Sequence, residues 1–173
     1  PSLTVQGHIQ LVSAYHPLLL LYNKKNGKPT IPLTLTLNDK ERILVISGPN
    51  AGGKTVTLKT AGLLQLMLQA GLLVPAHPSS VFGIFRQIMI HSGDVQSLEF
   101  ELSTYSAHLQ HMKYFIENAN GRTLFFIDEL GSGSDPNLGG AFAEVILEEM
   151  VRKRSLGIVT THYLNLKVMA GPV

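Results

Sequence analysis

The sequence contains no cysteine among its 173 residues. This absence excludes disulfides, thiolate metal sites and a cysteine nucleophile. Charge of one sign is barely in excess, because 14 lysines and arginines stand against 12 aspartates and glutamates, which is too small a difference to indicate a nucleic-acid surface by itself. Long apolar runs are also missing, since His16, Gln65 and Gln69 interrupt the apolar stretches before the roughly 18 residues of a membrane span. We therefore expect a cytoplasmic protein without membrane contact.

The composition indicates one globular domain with a single core, since 45% of the residues are hydrophobic and 15% are charged. The sequence starts at Pro1 without a methionine and stops at Val173 soon after an apolar segment. We therefore expect a piece of a longer protein.

A glycine-rich segment has the pattern of a phosphate-binding loop. Its residues are Gly48, Pro49, Asn50, Ala51, Gly52, Gly53, Lys54 and Thr55. The segment follows an apolar run and opens an amphipathic stretch, which is the strand-to-helix context that such a loop requires. In that context successive backbone N–H groups point at one phosphate, Lys54 reaches the β and γ phosphates, and the Thr55 hydroxyl takes a Mg²⁺ position. The alternative, an ordinary glycine-rich turn, is disfavoured by the flanking strand and helix.

The rest of the chain predicts an α/β fold. Alternation at Leu3–Leu11 and Leu33–Leu37, with a turn at Asn23–Pro29, predicts an antiparallel β layer within residues 1–42. Residues 43–173 are predicted to form the nucleotide-binding core, a mostly parallel sheet flanked by helices. The strands are predicted at 43–47, 84–91, 123–127 and 156–161, and the helices at 54–70, 103–119 and 136–154. Ligands of such sheets bind at the carboxyl ends of the strands.

Two helices have predicted details. The helix from Ser103 is expected to have Ser103 or Thr104 as its N-cap. The helix that starts at Pro136 is expected to bury one set of apolar residues: Leu138, Phe142, Val145, Ile146 and Met150.

Two adjacent carboxylates, Asp128 and Glu129, close the apolar strand at 123–127. Two adjacent carboxylates repel each other and each needs solvation, so they would be an unusual choice for a purely structural turn. Separate roles for the two residues explain the pair. We expect Asp128 to hold Mg²⁺, mostly through water, and Glu129 to orient or deprotonate the attacking water. The alternative is a solvated acidic strand end, which the phosphate loop makes less favourable.

His162 and Ser103 are further candidates. His162 follows the strand at 156–161, where its imidazole could contact the γ-phosphate or the attacking water; a structural histidine is the alternative. Ser103 lies at a predicted helix start, which is a second anion-binding position; a plain N-cap is the alternative. The other histidines have no metal-like partner set and are expected to be structural or solvated: His8, His77, His91, His108 and His111.

The order of these motifs resembles the ATPase domain of the MutS family, which belongs to the ABC-type ATPases. The resemblance rests on Gly48 to Thr55, on Asp94-Val95-Gln96-Ser97-Leu98 leading into Leu102-Ser103-Thr104-Tyr105, on Asp128-Glu129-Leu130-Gly131-Ser132-Gly133, and on Thr160-Thr161-His162-Tyr163. The second of these motifs is most similar to the type-two branch, whose members carry a C-terminal Smr nuclease domain.

The resemblance implies an ATP-binding and hydrolysing P-loop domain of ABC type, with ATP and Mg²⁺ as cofactors. It implies Lys54 and Thr55 as phosphate and Mg²⁺ ligands, Glu129 as the base that positions water, and His162 as the sensor. It also implies a homodimer around ATP, in which Ser103 contacts the partner's γ-phosphate. The full-length protein is implied to handle DNA, suppressing recombination, or to rescue ribosomes through other domains.

Four other functions remain open at this point. The closest alternative is a mismatch-repair MutS protein, which the flanking domains would distinguish. A transporter motor would carry a Leu-Ser-Gly-Gly-Gln signature, and a small-molecule kinase would need an acceptor pocket and a lid; the sequence shows neither. The last alternative is a nucleotide-gated binding module with negligible turnover.

Overall fold

The computed structural model describes residues 1–48, 52–92, 101–132 and 136–163, with the backbone alone for residues 101–105, 136 and 137. In chain order the described elements are β1 (Ser2–Thr4), β2 (Ile9–Ala14), α1 (Pro17–Lys25), β3 (Leu33–Leu37), β4 (Ile43–Ser47), α2 (Lys54–Gln69), β5 (Val81–Gly83), β6 (Gln87–His91), α3 (Glu101–Asn118), β7 (Thr123–Ile127), α4 (Pro136–Arg152) and β8 (Leu156–Thr161).

The predicted parallel sheet is confirmed. Its described strands lie in the order β4-β8-β7-β6, and every neighbouring pair is parallel. Strands β7 and β8 are buried at every position, as their continuous apolar runs predict. The continuous apolar run of β4 likewise predicts a strand buried on both faces, but this prediction is wrong, because all five of its residues are only half-buried at the edge of this described sheet.

The second sheet has the strand order β1-β5-β2-β3. Strand β2 is antiparallel to both β3 and β5, while β1 is parallel to β5. The single strand predicted at Leu3–Leu11 is therefore two strands. Strands β1 and β2 lie on the two sides of β5 and run in opposite directions, so the chain reverses between them. Strand β5, which comes after α2 in the chain, also belongs to this sheet. The strand predicted at 84–91 is β6, which begins only at Gln87 and is preceded by β5.

Helix α1 was not predicted from the sequence. Pro17 stands at its first position, where proline needs no hydrogen-bond partner, and the His16 Nδ1 atom accepts a hydrogen bond from the Leu19 N–H at 3.4 Å. Lys24 and Lys25 in the last turn suit the helix dipole. No residue of α1 is fully buried, so the helix gives no amphipathic signal; the predicted turn begins only after it, at Asn26.

The core occupies both faces of the parallel sheet. On one face Leu124 and Phe126 pack with α2 and the second sheet, and on the other Phe125 and Ile127 pack with α3 and α4. No helix among the described residues is both long and apolar enough to cross a membrane.

The predicted inward face of α4 is partly wrong. Ile146 and Met150 are buried as expected, but Leu138 and Val145 are 59% and 55% exposed. The buried positions include Ala143, from which Ile146 and Met150 follow at steps of three and seven residues, whereas Val145 lies away from that stripe. Helix α3 also differs from prediction: its described part already includes Glu101 and Leu102, so Ser103 and Thr104 lie within the helix instead of capping it.

Replacing Gly157 with alanine is expected to lower the free energy of unfolding by about 1–3 kcal/mol, the usual cost of overpacking a core. A β-carbon at Gly157 would overlap the fully buried Phe125 ring. Urea unfolding measures the change. Gly62→Ala is the control, because its β-carbon would lie 3.6 Å from the Phe126 ring in a helix that favours alanine. Equal stability of Gly157→Ala and the unmodified chain would contradict the prediction.

Candidate nucleotide site

The predicted site residues lie at the carboxyl edge of the parallel sheet. Ser47 at the end of β4 pairs in register with Thr161 at the end of β8, and Ile127 at the end of β7 pairs with Val159. The loop between β4 and α2 starts with Gly48 and ends with Gly53. Pro49, Asn50 and Ala51 of this predicted loop lie outside the described residues.

Both ends of this loop have backbone conformations that suit glycine. The φ angle is 148° at Gly48 and 78° at Gly53, values that other residues rarely adopt. Helix α2 begins directly afterwards, at Lys54. A strand, a segment with a glycine at each end and a helix therefore follow one another in the order that a phosphate-binding loop requires.

Lys54 is only 4% exposed, which is unusual for lysine. Its ammonium group donates a hydrogen bond to the carbonyl oxygen of Gly48. The side chain therefore points back towards Gly48, at the start of the loop. A phosphate bound on this loop would meet its positive charge.

Thr55 and Asp128 are in contact. The Thr55 hydroxyl donates to Asp128 Oδ1 at 3.2 Å, although 73 positions separate the two residues in the chain. Asp128 is 4% exposed, and its backbone N–H donates to the His91 carbonyl oxygen at 2.9 Å. A hydroxyl and a carboxylate are oxygen ligands of the kind that Mg²⁺ prefers, so this pair fits the predicted ion.

Glu129 and His162 lie together on the solvent side of this edge. His162 Nε2 is 3.7 Å from Glu129 Oε1, and the two side chains are 46% and 38% exposed. Glu129 has a φ angle of 57°, in the left-handed region that few residues other than glycine adopt. The carboxylate is thus accessible to water and has an imidazole beside it.

Thr160 is a site residue to which sequence reasoning assigned no role. Its hydroxyl donates to Asp128 Oδ1 and accepts the Glu129 N–H at 2.8 Å. The side chain is fully buried, so these contacts replace solvent. The available signal was the pair of threonines at the end of an otherwise apolar strand, because buried hydroxyls need partners.

The glycine-rich turn after Glu129 is held by close contacts. The Ser132 N–H donates to the Glu129 carbonyl oxygen at 3.0 Å, and the Tyr163 hydroxyl donates to that of Gly131 at 2.9 Å. Gly131 has a φ angle of 85°, and a β-carbon there would lie 2.6 Å from the Gly139 carbonyl oxygen. Only glycine therefore fits at Gly131.

Ser103 lies within α3, and its side chain is outside the described residues. The described residues therefore give no geometry for its predicted contact with a partner's phosphate.

Three of the histidines predicted to be structural or solvated form a chain beside the site. His91 Nδ1 is 3.0 Å from His111 Nδ1, and His91 Nε2 is 2.7 Å from His108 Nδ1. His91 uses a different nitrogen for each neighbour, so the three rings do not converge on one point. No group of metal-binding side chains occurs among the described residues.

Burial, with smaller contributions from His108 and His111, lowers the pKa of His91 to about 4.

Acidification is expected to destabilise the fold through His91. Because its pKa falls from 6.5 to about 4 on folding, the unfolded chain binds more protons between these pH values. Stability is then complete above pH 6.5 and falls as the pH drops towards 4, with a loss of about 2 kcal/mol at pH 5. Urea unfolding of the unmodified chain and of His91→Phe across this range measures the effect.

The His91→Phe variant should lose less stability on acidification than the unmodified chain. His77→Asn, at an exposed histidine, should keep the original pH dependence. Identical slopes for His91→Phe and the unmodified chain would refute the assignment.

Comparison with known proteins identifies the family. Residues 44–172 match the family described as MutS domain V, so the chain belongs to that family, whose domain is the ATPase domain of MutS proteins.

Several relatives are named "Endonuclease MutS2". Those of Thermomicrobium roseum, Carboxydothermus hydrogenoformans and Lactobacillus acidophilus are 45%, 43% and 44% identical to this chain, over 95%, 98% and 97% of it. They support the predicted type-two branch. The chain spans about a fifth of these relatives, 21% of the length of each.

Proposed function

We propose that this chain is the ATP-binding and hydrolysing domain of a type-two MutS protein, with a P-loop NTPase fold of ABC type. One observation carries the proposal. Lys54, Thr55, Asp128, Glu129 and His162 come from three different parts of the chain, and they meet at the carboxyl edge of one parallel sheet. Ligands of such sheets bind at that edge.

The phosphates of ATP would lie on the loop from Gly48 to Thr55, with the Lys54 ammonium and the start of α2 supplying positive charge. Thr55 and Asp128 would hold Mg²⁺, in part through water. The ion would neutralise charge on the β and γ phosphates. The family membership and the Thr55–Asp128 contact support this arrangement.

Glu129 would orient the attacking water and accept its proton as the oxygen attacks the γ-phosphorus and the bond to the ADP oxygen breaks. The exposed carboxylate suits this task because water reaches it. His162, 3.7 Å from that carboxylate, would hydrogen-bond the γ-phosphate or the water. Its position next to Glu129 would let the site distinguish ATP from ADP.

The longer protein would form a homodimer around ATP, with Ser103 of each copy contacting the γ-phosphate of the other. It would bind DNA, suppressing recombination, or ribosomes through other domains. The relatives' name "Endonuclease" supports a nuclease activity elsewhere in that protein.

ATP hydrolysis by the full-length protein tests the proposal, measured alone and with branched DNA, mismatched DNA and ribosomes. Glu129→Gln is the control for catalysis by this site. Stimulation by branched DNA or ribosomes, without an effect of mismatches, would support the type-two function. Stimulation by mismatches alone would favour the mismatch-repair alternative, and hydrolysis that persists in Glu129→Gln would reject the site.

Ser103→Ala tests the dimer. We expect the variant to bind ATP and to lose turnover, and a mixture with Lys54→Ala to regain part of the activity, because one composite site then contains both intact residues. Failure of the full-length protein to dimerise with ATP would reject the contact between copies.

A further inference from the structure

Thr160 connects the two carboxylate residues of the candidate site. We propose that Thr160 is a positioning residue for ATP hydrolysis, whose hydroxyl fixes both the Asp128 carboxylate and the backbone of Glu129. This inference rests on the proposed ATPase function and adds to it a residue outside the nucleotide contacts.

The hydroxyl of Thr160 has one hydrogen, and the structure assigns it a direction. It donates to Asp128 Oδ1, which leaves the oxygen lone pairs to accept the Glu129 N–H at 2.8 Å. Asp128 Oδ1 also accepts from Thr55 at 3.2 Å. A continuous hydrogen-bond chain therefore runs from the Glu129 backbone through Thr160 and Asp128 to the first turn of α2.

The backbone of Glu129 needs such support. Its φ angle of 57° is sparsely populated for residues other than glycine. Thr160 holds this turn twice, because its hydroxyl accepts the Glu129 N–H and its carbonyl oxygen accepts the next N–H, that of Leu130, at 2.9 Å. Loss of the hydroxyl would remove one of these two restraints and leave the part-buried Glu129 N–H without this partner.

The position of Thr160 also sets the geometry at His162. Only Thr161 separates these two residues, and His162 Nε2 lies 3.7 Å from Glu129 Oε1. When the turn at Glu129 is fixed to Thr160, the backbone segments that carry the carboxylate and the imidazole are held beside each other. Catalysis is sensitive to such placement, since a misplacement of about 1 Å can reduce a rate about 100-fold.

The neighbouring Thr161 offers a matched control. It is fully buried in the same strand. Its hydroxyl donates to the Leu130 carbonyl oxygen at 3.1 Å and accepts the Tyr163 N–H at 3.2 Å. Thr161→Val therefore removes a buried hydroxyl with two hydrogen bonds, as Thr160→Val does, but it removes no donor to Asp128.

The experiment compares Thr160→Val, Thr160→Ser and Thr161→Val in the full-length protein. Three quantities are measured: kcat and KM for ATP, the Kd of a fluorescent ATP analogue, and the temperature of unfolding. For Thr160→Val we expect kcat to fall about 30- to 100-fold while the Kd changes less than about threefold. Thr160→Ser, which retains the hydroxyl, should recover kcat to within about threefold of the unmodified protein.

Thr161→Val should lower the unfolding temperature as much as Thr160→Val does and leave kcat nearly unchanged. If Thr160→Val does not fold, Thr160→Ala replaces it, because alanine removes the hydroxyl without placing a methyl group against the Asp128 carboxylate. Two results would overturn the inference: a kcat for Thr160→Val equal to that of the unmodified protein, or equal losses of kcat in Thr160→Val and Thr161→Val.

Glu129→Gln, measured in parallel, separates this inference from the proposed function. If Glu129→Gln hydrolyses ATP at the unmodified rate, the proposed function fails, whatever Thr160 does. If Glu129→Gln is inactive while Thr160→Val is fully active, only the role of Thr160 fails.

Discussion

Replacing Glu129 with glutamine is expected to lower the rate of ATP hydrolysis about 100- to 10,000-fold, the range of a lost general base. An amide has the size of the carboxylate but cannot accept the proton of the attacking water. The side chain is not part of the packed core, since it is 38% exposed beside His162, so the fold should persist. ATP affinity should change little, because the loss concerns the transition state.

Single-turnover hydrolysis and the Kd of ATP, both measured on the full-length protein, check this prediction. Glu148→Gln is the matched control, because it makes the same chemical change at an exposed position on α4. It should hydrolyse ATP at the unmodified rate. Turnover by Glu129→Gln at that same rate would remove Glu129 from catalysis, and a parallel loss of ATP binding would indicate a binding role instead.

The central sheet was predictable because its strands have a strong sequence signal. The segments at 123–127 and 156–161 are continuously apolar apart from threonine and glycine, and such runs are typical of strands buried on both faces. The structure buries every one of these positions. Their order along the chain, with helices between them, then determines the parallel arrangement.

The outer elements were less predictable for the opposite reason. Helix α1 buries none of its residues, and its leucines are consecutive instead of being spaced at the three- and four-residue steps that indicate a helix. Strand β5 has three residues, and its place between β1 and β2 depends on pairing with distant parts of the chain. Local pattern does not encode such pairing, because strand propensity depends strongly on tertiary context.

The site residues also divide into those that the sequence predicts and those that it does not. The glycine loop and the carboxylate pair occur in recognisable short motifs, and the structure brings Thr55 of the first motif into contact with Asp128 of the second. The contacts of Thr160 and the chain of His91, His108 and His111 involve side chains that are distant in sequence. Thr160 lies in a recognisable motif, but no motif specifies these contacts, since the partners are known only once β6, β7, β8 and α3 are assembled.

Replacing Lys54 with alanine is expected to weaken ATP binding about 30- to 3,000-fold, the range of effects when one member of a buried charged pair is removed. The ammonium group is buried and already positioned at the Gly48 carbonyl oxygen. It therefore needs little reorganisation to meet a phosphate. Titration with a fluorescent ATP analogue measures the loss.

Lys40→Ala is the control for charge, because Lys40 is exposed near the other end of β4 and its removal changes the net charge equally. If long-range attraction alone drew ATP to the protein, both variants would lose affinity to the same small extent, and added salt would abolish the difference from the unmodified protein. A direct contact predicts a large loss for Lys54→Ala alone that persists in salt. Unfolding temperatures of both variants must also be compared, since Lys54 contributes packing to the start of α2. A stable Lys54→Ala protein with unchanged ATP affinity would show that the nucleotide does not lie on this loop.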